Sequence, residues 1–157
     1  MAKKSTRPAP HEDLNLVLTR VFDATPQDVF EAWTDRDQLM RWHCPKNFKV
    51  IFCDADVRVG GKWRLGMRGP DGREYISGGV YKQVKAPGKL VFTHSWEHNE
   101  QEPASVNTLI TLTFVETGAK TTMTFVQAGL TTPESRNSHK GGWSEAFDNL
   151  IAYIGPA

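Results

Sequence analysis

Hydrophobic and polar positions along the chain alternate with two different periods. Residues 14–22 read LNLVLTRVF, with Leu14, Leu16, Leu18 and Arg20 on one side and Val17, Thr19 and Val21 on the other. This is the pattern of a strand with both faces partly covered. Thr25, Pro26 and Asp28 then supply a capping hydroxyl, a proline at the first helical position and an acid in the first turn. Val29, Phe30, Ala32 and Trp33 form the apolar side of that short helix, and a second begins at residues 35–37 and carries Leu39, Met40 and Trp42. It ends at His43-Cys44-Pro45, because proline disfavours helix in the residue before it.

From residue 48 the period becomes two. A strand is expected over 48–59, followed by a turn or bulge at Gly60-Gly61. Trp63, Leu65 and Met67 then point one way, and Lys62, Arg64 and Arg68 the other. Gly69-Pro70-Asp71-Gly72 predicts a hairpin into a return strand over 74–84, interrupted at Gly78-Gly79. After Ala86-Pro87-Gly88, the residues Leu90, Phe92, His94 and Trp96 line one face of the next strand. Residues 97–104 read as a polar loop, and 106–116 with 120–127 as a hairpin closed at Thr117-Gly118. The period returns to a helical one at 132–154, where His139, Trp143, Phe147, Leu150 and Ile154 make one stripe opposite Arg136, Lys140, Ser144, Glu145, Asp148 and Asn149. About 22 helical residues span roughly 33 Å, enough to cross a small sheet. Gly141 and Gly142 are anomalous there, each costing about 1 kcal/mol relative to alanine. They mark close backbone approach, room for something else, a helix break, or a late helix start at Ser138. The order β–α–α–β–β–β–β–β–β–α predicts an α+β domain in which a bent antiparallel sheet of six or seven strands grips one long C-terminal helix.

Four stretches of this pattern resemble the START-like SRPBCC superfamily, in the branch related to the C-terminal domain of the heat-shock protein 90 ATPase activator. They are Arg20-Val21-Phe22 with Thr25-Pro26 and on to Trp33, Leu39 and Trp42; Asp56-Val57-Arg58-Val59-Gly60-Gly61-Lys62-Trp63-Arg64; Gly79-Val80-Tyr81 with Pro87-Gly88-Lys89-Leu90-Val91-Phe92-Thr93; and Thr121 to Phe125 with His139-Lys140-Gly141-Gly142-Trp143 and Leu150. Together they cover residues 14–154 in register with the helix-grip (START/Bet v-like) order. The resemblance implies a protein that holds an apolar small molecule between sheet and C-terminal helix. Some relatives of that kind act instead as cyclases, hydrolases or chaperone regulators.

Composition narrows the functions. Nineteen Lys and Arg against 18 acidic residues leave no bulk charge to recruit nucleic acid or an anionic membrane. There is no apolar run of transmembrane length, and residues 1–13 lack the apolar core of a signal peptide. Those residues read as a disordered, solvated arm before a single domain over 14–157. Cys44 and Cys53 have no pairing or CxxC spacing, which fits a reduced, cytoplasmic setting. Scattered histidines and cysteines give no metal-ligand spacing, and no cofactor motif is present, so neither metal nor cofactor is expected.

The candidate ligand-binding residues are Trp63, Met67, Phe92, His94, Trp96, Phe125, His139, Trp143 and Phe147. This aromatic surface beneath one helix, beside glycines at 78, 79, 141 and 142, either encloses a cavity or packs to ordinary interior density. His94 and His139 either orient a ligand's polar group, serve as general acid–base in a cyclase- or hydrolase-type enzyme, or rest as neutral imidazoles on a carbonyl or hydroxyl such as Ser77 or Ser95. His43 with Cys44 makes a poor thiolate–imidazole pair, since adjacent residues rarely face each other. Lys62, Arg64, Arg68, Arg73, Lys82 and Lys85 either form a basic stripe for an acidic chaperone partner or are the solvated face of a sheet. The activator carries a further N-terminal domain without counterpart in these 157 residues, which weighs against the chaperone reading. No heptad or long apolar patch specifies an oligomeric state.

Overall fold

The computed structural model describes residues 14–97 and 107–155. Its elements are β1 (Leu16–Phe22), α1 (Pro26–Thr34), α2 (Arg36–Trp42), β2 (Lys49–Ala55), β3 (Lys62–Arg68), β4 (Glu74–Lys85), β5 (Lys89–Trp96), β6 (Thr108–Thr117), β7 (Lys120–Ala128) and α3 (Pro133–Ile154). The strands form one antiparallel sheet in the order β1-β7-β6-β5-β4-β3-β2. Only β1 is out of sequence, carried across to pair with β7 from Leu16↔Gln127 to Phe22↔Thr121. This is the expected helix-grip architecture, with seven strands. The expected arm at 1–13, most of the polar loop and the first residue of the strand expected at 106 lie outside the described residues.

The caps form as their residue types dictate. The hydroxyls of Thr25 and Thr132 accept from the amides of Asp28 and Ser135, and the Asp35 carboxylate accepts from the amide of Asp37. Pro26 and Pro133 each occupy a first turn, where the missing N–H costs nothing. Trp33, Trp42, Phe22, Phe125 and Phe147 are fully buried between the inner face of the sheet and the three helices.

Three expectations are corrected. Strand β2 ends at Ala55, because residues 56–61 fold into a turn in which Gly60 takes φ +84° and the Gly60 amide donates to the Tyr81 carbonyl. Strand β4 runs unbroken through Gly78-Gly79, which pair with Arg64 and Trp63 of β3. A Cβ on Gly79 would meet the Thr93 carbonyl oxygen far inside contact distance, so the glycine permits close strand approach and not an interruption. The outer face of β1 is open, with Val17 56% and Val21 42% exposed, whereas Leu16, Leu18 and Phe22 are buried. No helix among the described residues is long and apolar enough to cross a membrane.

Candidate functional site

Helix α3 runs through Gly141-Gly142 without a break. Its C-terminal half buries Ala146, Phe147 and Leu150 on the core, and Trp143 is the last deeply buried side chain toward the N-terminus. Beyond it, the N-terminal half of the helix, β3–β5 and the segment 43–48 surround a hollow of about 580 Å3. Its deeper lining comes from His43, Leu65, Met67, Ser77, His94, Trp143 and Ala146, all buried. Its rim comes from the less buried Phe48, Tyr75, Trp96, Glu97, Glu134, Ser135, Ser138 and His139.

The segment 43–48 is laid across α3 by polar contacts. The Asn149 side-chain amide donates to the Cys44 carbonyl at 2.8 Å, and the Glu145 carboxylate accepts from the Lys46 amide at 3.0 Å. Two side chains assigned by periodicity to the solvent face of α3 therefore hold one wall of the hollow. Glycine at 142 leaves the adjacent turn of the helix flush with that wall, since an added Cβ would lie 3.8 Å from Pro45 Cγ. Nothing lies within 4 Å of the corresponding point on Gly141, so the pair leaves open space and does not serve close backbone approach.

Among the expected ligand contacts, Met67, His94, Trp96, His139 and Trp143 converge on the hollow. Trp63, Phe92, Phe125 and Phe147 do not reach it. Phe125 and Phe147 are fully buried, their rings 5.3 Å apart, and Trp63 and Phe92 meet edge to face at 5.6 Å in the layer beneath. These rings are held in the core because the two helices after β1 bring Trp33 and Trp42 against them (Trp33–Phe92 6.2 Å, Trp42–Phe147 6.5 Å). Alternation along the strands assigns rings to a face. It does not say how far along that face a distant helix will cover them.

The histidines are held in distinct ways. The Trp96 indole N–H, which can only donate, reaches His139 Nε2 at 3.1 Å. Nδ1 therefore carries the proton and donates to the Ser135 carbonyl at 2.8 Å, which fixes a neutral tautomer. His94 lies 6.2 Å from His139, ring to ring, and 5.7 Å from Trp143. Burial pushes its pKa down to about 3. His43 stacks on Trp42 at 4.9 Å, and burial lowers it to about 4. Its Nδ1 has no hydrogen-bond partner among the described residues. Sequence reasoning set His43 aside as part of a turn, although ending a helix directly after a buried Trp42 is what swings its ring under α3.

Cys44 does not complete a nucleophile. Its thiol donates to the Phe48 carbonyl at 3.4 Å, and burial raises its pKa, whereas a thiolate–imidazole pair needs the thiol lowered and the imidazole raised. No group of three metal-ligating side chains occurs among the described residues.

A buried polar chain fastens the hollow to the sheet. The Trp143 indole donates to Gln127 Oε1 at 3.0 Å, Gln127 Nε2 donates to the Thr108 hydroxyl at 2.9 Å, and that hydroxyl donates to the His94 carbonyl at 2.9 Å. Each donor and acceptor in the chain has one compatible direction. On the outer surface three of the six basic residues named for a stripe are ion-paired: Arg64 forks onto Glu97, Arg68 pairs with Glu74, and Arg73 with Asp71.

A family model described as "Activator of Hsp90 ATPase homolog 1-like protein" matches residues 23–155. No curated protein matches the chain. Solved structures share the fold. The AHSA1 protein from Silicibacter pomeroyi is 24% identical with a TM-score of 0.79, over 89% of this chain and 96% of that one. A protein from Arthrobacter aurescens is 26% identical with a TM-score of 0.78, over 94% and 89%. CalU16 from Micromonospora echinospora is 24% identical with a TM-score of 0.66, over 90% and 76%.

Proposed function

The chain belongs to the Activator of Hsp90 ATPase homolog 1-like protein family, and from that premise we propose that it binds an apolar or aromatic small molecule in the hollow between the sheet and α3. The reading rests on one observation: a cleft of about 580 Å3, open to solvent on one side and walled by Trp143, Trp96, Tyr75, Phe48, Met67 and Leu65. A flat ligand burying about 250 Å2 of apolar surface there gains about 6 kcal/mol before entropic costs. Adding hydrogen bonds to neutral imidazoles makes micromolar affinity reachable without covalent chemistry.

His94 and His139 serve this reading as hydrogen-bonding groups. Both nitrogens of His139 are already engaged, so proton transfer by that ring requires breaking a contact that shapes the rim. Cys44 and Cys53 are both free and buried, in keeping with a reducing cytoplasmic setting.

The test is a panel of uncharged aromatic compounds followed by tryptophan fluorescence and thermal unfolding. Trp96 and Trp143 line the hollow, so an occupant changes their emission and raises the unfolding temperature. A broad panel that leaves both signals unmoved would remove the reading.

A further inference from the structure

The rim and the floor of the hollow differ in their chemistry. Phe48, Tyr75 and Trp96 form an aromatic arc at the rim, with ring centroids 5.9 Å (Phe48–Tyr75) and 6.4 Å (Tyr75–Trp96) apart. Two carboxylates, Glu97 and Glu134, share that rim, and no lysine or arginine is among the described lining residues. Arg64 holds Glu97, whereas Glu134 makes no ion pair among the described residues. The floor offers His43 and His94, buried imidazoles kept uncharged by desolvation, so no positive charge waits there for an anionic ligand.

Resting on the ligand-binding reading above, we infer that the hollow selects an aromatic ligand bearing an ammonium group, with its rings against Trp143 and its cation at the Phe48–Tyr75–Trp96 rim beside Glu134. An ammonium is attracted to the electron-rich faces of aromatic rings and to a carboxylate. A carboxylate ligand meets the same rings and acidic side chains and gains no cationic partner. Apolar contact alone would make the two equal, so charge selectivity separates this inference from the reading beneath it.

Three naphthalenes matched in shape test it: naphthylmethylamine, naphthalenemethanol and naphthoate, titrated against the intact protein by calorimetry near neutral pH. The amine is expected to bind about fivefold tighter than the alcohol, and the carboxylate weakest. Salt at about 1 M should shrink the amine's advantage over the alcohol, and Glu134→Gln should narrow the ratio of the two affinities. An alcohol or carboxylate that binds as well as the amine overturns the inference and leaves the hollow a binding site. An amine advantage that neither salt nor Glu134→Gln reduces overturns it too, because the selectivity would arise elsewhere. If no naphthalene of any charge binds, the ligand-binding reading fails, and this inference with it.

Discussion

Trp143 belongs to the core on one side and to the hollow on the other, and Gln127 lets it do both. The indole ring packs on Phe125 at 4.8 Å, while its N–H, which has to be buried for that contact, is satisfied by the Gln127 carbonyl. Gln127→Leu keeps the volume, leaving the indole N–H unpaired and removing the donor to Thr108. Denaturant unfolding should report a loss of about 1–3 kcal/mol; an unchanged midpoint would mean that water replaces the amide. The imidazoles make a second prediction at this scale. His43 and His94 have folded-state pKa values pushed down from 6.5 to about 4 and about 3, mainly by burial. A base whose folded pKa is depressed contributes its full stability above 6.5 and loses it as pH falls toward the folded value, because the unfolded chain takes up the proton first. Each ring should therefore cost about 1.4 kcal/mol per pH unit over that window. Urea midpoints should fall steeply from near neutral pH down to pH about 5, and His94→Gln should flatten the slope. A midpoint insensitive to pH there would show that the rings are solvated.

Among the elements, the glycines separate into two physical classes that composition alone does not distinguish. Gly79 lies where β4 passes so close to β5 that a methyl group meets the Thr93 carbonyl, so Gly79→Ala should cost more than about 4 kcal/mol or prevent folding. Gly141 lies in open space inside α3, and Gly141→Ala should stabilise by about 0.4–1 kcal/mol, read as a higher denaturant midpoint. The reverse result would mean that the helix breaks there. In the sequence both positions are one half of a Gly-Gly pair, and only the neighbouring chain distinguishes them. The same limit applies to the elements generally. Caps at Thr25, Asp35 and Thr132, the hairpin at Gly69–Gly72 and the 3.6-residue stripe of α3 are set by contacts within a few residues, so periodicity and turn chemistry predict them. The open outer face of β1 and the burial of His43 depend on what packs from far along the chain. The site was legible to the same extent. Trp143, His94 and His139 follow from which face they share, but the rim residues Phe48, Tyr75 and Glu134 sit at strand ends, a turn and a first helical turn, where no pattern marks them.

For the molecule as a whole, the hollow exists because α3 is longer than the core that it covers. Its C-terminal half, from Trp143 through Ala146 and Phe147 to Leu150, closes the apolar core, while the half before Trp143 extends over β3–β5 and lines the gap with Glu134, Ser135, Ser138, His139 and Gly142. Small and polar side chains there hold the helix off the sheet without filling the gap. If that space is surplus to folding, filling it should not harm the fold. Ala146 is buried at the edge of the hollow, and Ala146→Met adds a flexible apolar chain that can extend into it. The variant should unfold at the same denaturant concentration or be stabilised by up to about 2 kcal/mol, and it should lose the fluorescence and thermal response to aromatic ligands. In a tightly packed interior the same substitution would cost about 1–3 kcal/mol through overpacking. A destabilised variant would thus show that no usable space exists under the helix. A stable variant that still responds to ligand would move the binding site elsewhere.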